Sequence, residues 1–211
     1  TSQVTVADAS IVAGTNTTVT VQLRDAGNNP LTASAGTVAL NVSGVGSVGT
    51  VTDNANGTYT ATYTSNVTGS ATISATLNSQ AITDDASVTV TPAAVSAAQT
   101  TITSNTGSIT AGGNATITVQ AKDQFGNNLT TTGGTVTLDV TGVGSVGTVT
   151  DNNNGTYTAT YTSNATGSAT ISGTIASNAI TDTEAVTVTP AAVSAATTTV
   201  SASVSPITAS N

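Results

Sequence analysis

From Thr58 to Thr64 the chain alternates without a break, with Tyr59, Ala61 and Tyr63 separated by threonines. Successive side chains of an extended strand point to opposite faces, so this pattern predicts a strand with one buried face and one wet face. Residues 18–24 read the same way, with Val19, Val21 and Leu23 inward, and residues 37–42 place Val38, Leu40 and Val42 inward. Residues 3–6, 48–53, 69–77 and 86–90 complete a set of seven short strands, and no stretch shows a helical period. Residues 11–16 read as a turn. Asn56-Gly57, just before the tyrosine strand, predicts a tight two-residue hairpin turn, because both residues accept a positive φ.

The whole pattern then returns. Tyr59 and Tyr63 recur 98 residues later as Tyr157 and Tyr161, and Asn56-Gly57 recurs as Asn154-Gly155. Residues 148–162 repeat 50–64 almost letter for letter. The expected division is one repeat over 1–92, a second over 93–190, and a linker with the first strand of a third over 191–211, where Val200 matches Ile102. A tandem array longer than this segment is the natural expectation. Four of the five aromatic side chains lie on the inward face of the two tyrosine strands, which predicts two separate cores. The joining sequence Thr-Pro-Ala-Ala-Val-Ser-Ala-Ala stands at 91–98 and again at 189–196. Its proline restricts the backbone, which predicts a semi-stiff joint. The repeats differ most in one turn-rich loop, residues 25–30 and 123–128, where the second copy gains Phe125.

Seven short strands in about 100 residues predict an all-β architecture of tandem immunoglobulin-like β-sandwiches, without the Cys…Trp…Cys pattern of antibody domains. Composition narrows what such modules can do. There are ten acidic residues, two basic ones (Arg24 and Lys122), and no His, Cys, Met or Trp. A net charge of −8 lacks the basic footprint that nucleic acid or an anionic membrane requires. Without His or Cys, acid–base and nucleophilic chemistry would fall to scattered carboxylates, so no enzyme is expected.

Oxygen ligands for calcium are the remaining site chemistry. Asp84, Asp85, Asp182 and Glu184 lie just before the last strand of each repeat, with Asp8, Asp25 and Asp123 elsewhere. The acidic pair changes its spacing between repeats, so these four are calcium candidates beside the plainer reading of solvated surface charge, in which no cofactor is expected. Phe125 is the one aromatic side chain outside the inward set; it either caps a core edge or marks a ligand-binding loop.

The run Thr-Asp-Asn-x-Asn-Gly-Thr-Tyr-Thr-Ala-Thr-Tyr-Thr, followed by Gly-Ser-Ala-Thr-Ile-Ser, resembles bacterial immunoglobulin-like repeats, in particular those of invasin- and intimin-type surface adhesins. The resemblance covers both repeats. It implies an extracellular stalk or spacer that projects a binding module from a cell surface, with neighbouring repeats of the same chain as its partners. Scarce Lys and Arg and near-identical repeats fit internal stalk units. The alternative is a subunit of a self-assembling filament or surface layer, with residues 200–210 adding as a strand to a neighbour.

Overall fold

A computed structural model describes residues 1–194, 197 and 199–201 of the chain. The expected strand over residues 200–210 therefore lies outside the described residues, apart from Val200 and Ser201.

The first module contains β1 (Gln3–Val6), β2 (Ser10–Val12), β3 (Asn16–Gln22), β4 (Val38–Gly44), β5 (Ser47–Val48), β6 (Thr52–Asp53), β7 (Thr58–Thr64), β8 (Gly69–Leu77), β9 (Gln80–Ala81) and β10 (Ala86–Thr91). The second repeats them as β11 (Thr101–Ser104), β12 (Ser108–Thr110), β13 (Asn114–Gln120), β14 (Val136–Gly142), β15 (Ser145–Val146), β16 (Thr150–Asp151), β17 (Thr156–Thr162), β18 (Gly167–Ile175), β19 (Asn178–Ala179) and β20 (Glu184–Thr189). Each module is a sandwich of two sheets. One runs β1-β3-β7-β5 with β6 also on β7; the other runs β2-β10-β8-β4 with β9 also on β8. All pairings are antiparallel except β2 with β10 and its counterpart β12 with β20, which are parallel.

The inward faces are those that the alternation predicts. Val19, Val21 and Leu23 are fully buried, as are Ile117, Val119 and Ala121. Small aliphatic side chains fill most of the core; each buried Val, Leu or Ile contributes roughly 1.5–3 kcal/mol and each Ala less. The tyrosines supply the bulk, with Tyr63 and Tyr161 fully buried and Tyr59 and Tyr157 nearly so. Their hydroxyls do not break the apolar interior, because each donates to a backbone carbonyl. Tyr59 reaches Gly36 O at 2.8 Å and Tyr63 reaches Val45 O at 2.6 Å. Tyr157 and Tyr161 repeat this with Gly134 O and Val143 O. Burial pushes the Tyr63 and Tyr157 hydroxyls above their ordinary pKa.

Three local expectations are corrected. Residues 11 and 12, expected in a turn, belong with Ser10 to β2; with only Ile11 buried, the strand is too short to show a period. The strand expected over residues 48–53 is two pieces, β5 and β6, both on β7. Ser47 faces Thr64 but Asp53 faces Tyr59, so the register slips by one residue between them. That is an edge bulge, and bulged edges resist pairing with other chains.

The Asn-Gly turn is the third correction. It is a four-residue loop, closed by Asn54 N donating to Thr58 O at 3.1 Å. Its left-handed residues are Ala55 (φ 58°) and Gly57 (φ 83°), matched by Asn153 and Gly155, and not Asn56 or Asn154. Side chains set this shape: Asp53 Oδ1 accepts from Ala55 N, and Asn56 Oδ1 accepts from Thr58 N and Oγ1. Gly57 is also required by space, since a Cβ there would strike the Leu31 carbonyl; Gly155 meets Leu129 in the same way.

Candidate functional site: the joint between the modules

β10 ends at Thr91 beside the end of β2, and β11 begins beside the end of β13. The C-terminal end of the first sandwich therefore meets the N-terminal end of the second. Residues from both modules converge there.

The second module contributes the loop that follows β13. Asp123 is completely buried yet faces no cation; four N–H groups hold it. Its Oδ1 accepts from Phe125 N and Asn127 N, each at 2.9 Å, and its Oδ2 from Asn127 Nδ2 at 2.8 Å and Ala93 N at 3.0 Å. Burial alone would raise the Asp123 pKa. The bonds from the Asn127 side chain and from the Ala93, Asn127 and Phe125 backbone outweigh it and hold the carboxyl below its ordinary value. Ala93 lies in the linker, so the carboxylate straps the linker to the second module. Ser96 N donating to Lys122 O at 2.7 Å adds a second strap.

Asn127 carries the connection onward. Its Nδ2 also donates to Asn66 O at 2.8 Å, and its Oδ1 accepts from Thr68 N at 3.2 Å. Asn66 and Thr68 belong to the turn between β7 and β8 of the first module. A single amide thus spends its donors and its acceptor on bridging a buried carboxylate and the neighbouring module. Beside it, the Phe125 ring lies over Gly14, so close that a Cβ on Gly14 would sit 2.5 Å from Phe125 Cζ. Gly14 can accept the ring because it has no side chain and holds φ 86°. Phe125 remains 39% exposed, so the ring is covered in part by the first module and in part meets solvent. It neither caps its own core nor stands free as a binding platform.

The loop is shaped before it docks. In the first module Asp25 Oδ1 accepts from Asn29 N at 2.8 Å, and Asn28 N donates to Asp25 O, just as Gly126 N donates to Asp123 O. Here no module lies against the loop and Asp25 is exposed, yet the turn is the same. Bonds from the Asn29 side chain and backbone lower the Asp25 pKa. Such preorganisation reduces the ordering cost of forming a joint.

The four acidic calcium candidates are placed elsewhere. Asp84 Oδ2 accepts from Val4 N at 2.8 Å, and Asp182 Oδ2 from Ile102 N at 2.9 Å. Each ties the first strand of its module to the loop before the last strand, closing one side of the sandwich. Asp85 is exposed and Glu184 half-buried at the start of β20. Among the described residues no three acidic side chains gather into a metal-binding group. Asn127, Thr68 and Gly14 escaped the reading of the sequence. The signal for Asn127 was its fixed spacing from Asp123, shared by Asp25 and Asn29.

A family model described as invasin, domain 3, matches residues 1–93 and 96–191, one copy per module. The chain belongs to the invasin domain 3 family. These are immunoglobulin-like modules of bacterial adhesins, in line with the expected resemblance. Among solved structures, this invasin-family chain is similar to InvD of Yersinia pseudotuberculosis, at 32% identity and a TM-score of 0.59, over 94% of this chain and 60% of that one. It is similar to invasin, described as a bacterial integrin-binding protein, at 26% identity and a TM-score of 0.61, over 90% and 40% of the two chains. The Escherichia coli adhesin FdeC matches at 27% identity and a TM-score of 0.52, over 89% and 63%. The chain thus spans less than two thirds of each of these relatives. No curated protein in the comparison matches it. Among the described residues no helix is long and apolar enough to cross a membrane.

Proposed function

We propose that this chain is a stalk segment of an extracellular bacterial adhesin, and that its modules hold a binding module away from the cell surface at a set angle and distance. The observation that carries the reading is the Asp123–Asn127 relay, which fastens linker, loop and preceding module into one hydrogen-bonded unit. A freely swinging tether needs no such unit; a spacer does. The strand length sets the scale, since the seven residues of β13 advance about 23 Å at roughly 3.3 Å each. Family membership supports the surface setting, and the shortage of site chemistry in the sequence supports a role without turnover.

Small-angle X-ray scattering of the full chain tests the reading, compared with a Phe125→Ala, Asn127→Ala double variant. The expected result is an extended monomer whose maximum dimension is well defined, and a variant with both modules folded but a broader distribution of lengths. A variant indistinguishable from the parent would overturn the stiff-joint reading. Growth of the parent into longer particles with concentration would favour a self-assembling filament instead.

A further inference from the structure

The surface that receives Phe125 and Asn127 on the first module recurs at the far end of the second. Gly112 repeats Gly14, with φ 87° against 86°. Gly112 N donates to Ser163 O at 2.8 Å, as Gly14 N does to Ser65 O. Ser163 braces the turn at Ala165 as Ser65 braces it at Val67. Ala111 N donates to Thr189 O as Ala13 N does to Thr91 O. The backbone groups that bind Asn127, Asn66 O and Thr68 N, have Asn164 O and Thr166 N as counterparts, and the strapped Ala93 N has Ala191 N.

Val12, Thr15 and Val67 become Thr110, Gly113 and Ala165, but the bonded backbone groups recur; what differs for them is the coverage. Ala13 is buried and Thr68, Pro92 and Ala93 are half-buried, whereas Thr166, Pro190 and Ala191 are exposed and Ala111 is only half-buried. A Cβ on Gly112 would meet nothing closer than Asn164 Oδ1 at 3.9 Å.

We infer that this face is a docking site for another immunoglobulin-like module, presenting a loop of the Asp-x-aromatic-Gly-Asn kind. The ring lies over Gly112, the loop amide bridges Asn164 O and Thr166 N, and the loop carboxylate takes Ala191 N–H. The inference rests on the stalk reading and adds the chemistry of the partner. The occupant is fixed by the equivalent interface, which holds such a loop 98 residues earlier. A second copy of this chain is the poorer fit, because its uncovered loop, residues 25–30, has Gly27 where Phe125 stands.

The test supplies the occupant in the same chain. Residues 93–190 are repeated after Pro190, and amide hydrogen exchange is followed at Thr166 and Thr68 in this three-module chain and in the 211-residue chain. Exchange at Thr166 should slow about tenfold on adding the module, the worth of one hydrogen bond. It should recover when the duplicate of Asn127 alone is changed to Ala, with Thr68 unaffected. Unchanged exchange at Thr166 beside a protected Thr68 would overturn the docking site and leave the stalk reading standing. An unprotected Thr68 in both chains would instead remove the joint on which both readings rest. Protection of Thr166 that rises with concentration in the 211-residue chain would overturn the need for an aromatic loop.

Discussion

Tyr63 shows how much one side chain does in a core built of small residues. Its ring fills space that Val and Ala cannot, and its hydroxyl ties β7 to the Val45 carbonyl across 18 residues of chain. Tyr63→Phe keeps the ring and leaves that carbonyl without its donor. The expected loss is about 1–2 kcal/mol in chemical denaturation, with the fold retained. A variant as stable as the parent would mean that the hydroxyl is incidental. The inward place of Tyr63 was legible from strict alternation with threonine. Its partner was not, because a bond to a carbonyl 18 residues away depends on how loops close, and no local period records that. Asn56-Gly57 taught the same lesson in reverse. The dipeptide marked the turn, but Asp53 and the approach of Gly57 to Leu31 decided which turn formed.

At the scale of elements, Asp84 and Asp182, in the loops before the last strands, join sheets. Asp182 accepts the Ile102 amide, so an edge strand that its own sheet holds on one side is held on the other by a carboxylate. Asp182→Ala should cost about 1–2 kcal/mol and speed exchange at the Ile102 amide, while leaving the amides of β13 protected. Calcium or a chelator should leave exchange at Ile102 unchanged in the parent; a calcium-dependent slowing would show that Asp182 is a ligand after all. The long strands were plain in the sequence because each carries three or more alternations. The two-residue strands were not, being too short to show a period, and the bulge between β5 and β6 shows only in the odd spacing of Val48 and Val51, which both pack on the core.

For the molecule as a whole, the joint is the feature least visible in the sequence, because its groups come from loops, turns and the linker, where no period runs. Asp123 makes the joint sensitive to acid. Its folded pKa lies below the ordinary carboxylate value, so its contribution is complete above that ordinary value and disappears as pH falls through the folded pKa. Scattering, and the protection of Thr68 relative to its intrinsic exchange rate at each pH, should therefore be constant at neutral pH and down to mildly acidic pH. The joint should loosen below the usual carboxylate range, and Asp123→Asn should be loose already at neutral pH. Loosening near neutrality in the parent would assign the switch to another group.

The parallel pairing of β2 with β10 bears on what happens when a chain of this kind is stretched. Tension enters a module at β1 and leaves it at the end of β10; once β1 has come away from β3 the load passes to β2, and β2 and β10 are then dragged along their own axes in opposite directions. Antiparallel neighbours joined by a hairpin peel apart one bond at a time. These two must slide, which loads the whole row at once, from Thr89 N on Ala9 O to Ala13 N on Thr91 O. The second module repeats the arrangement with β12 and β20. Each module is thus braced in shear along the line that joins its two ends.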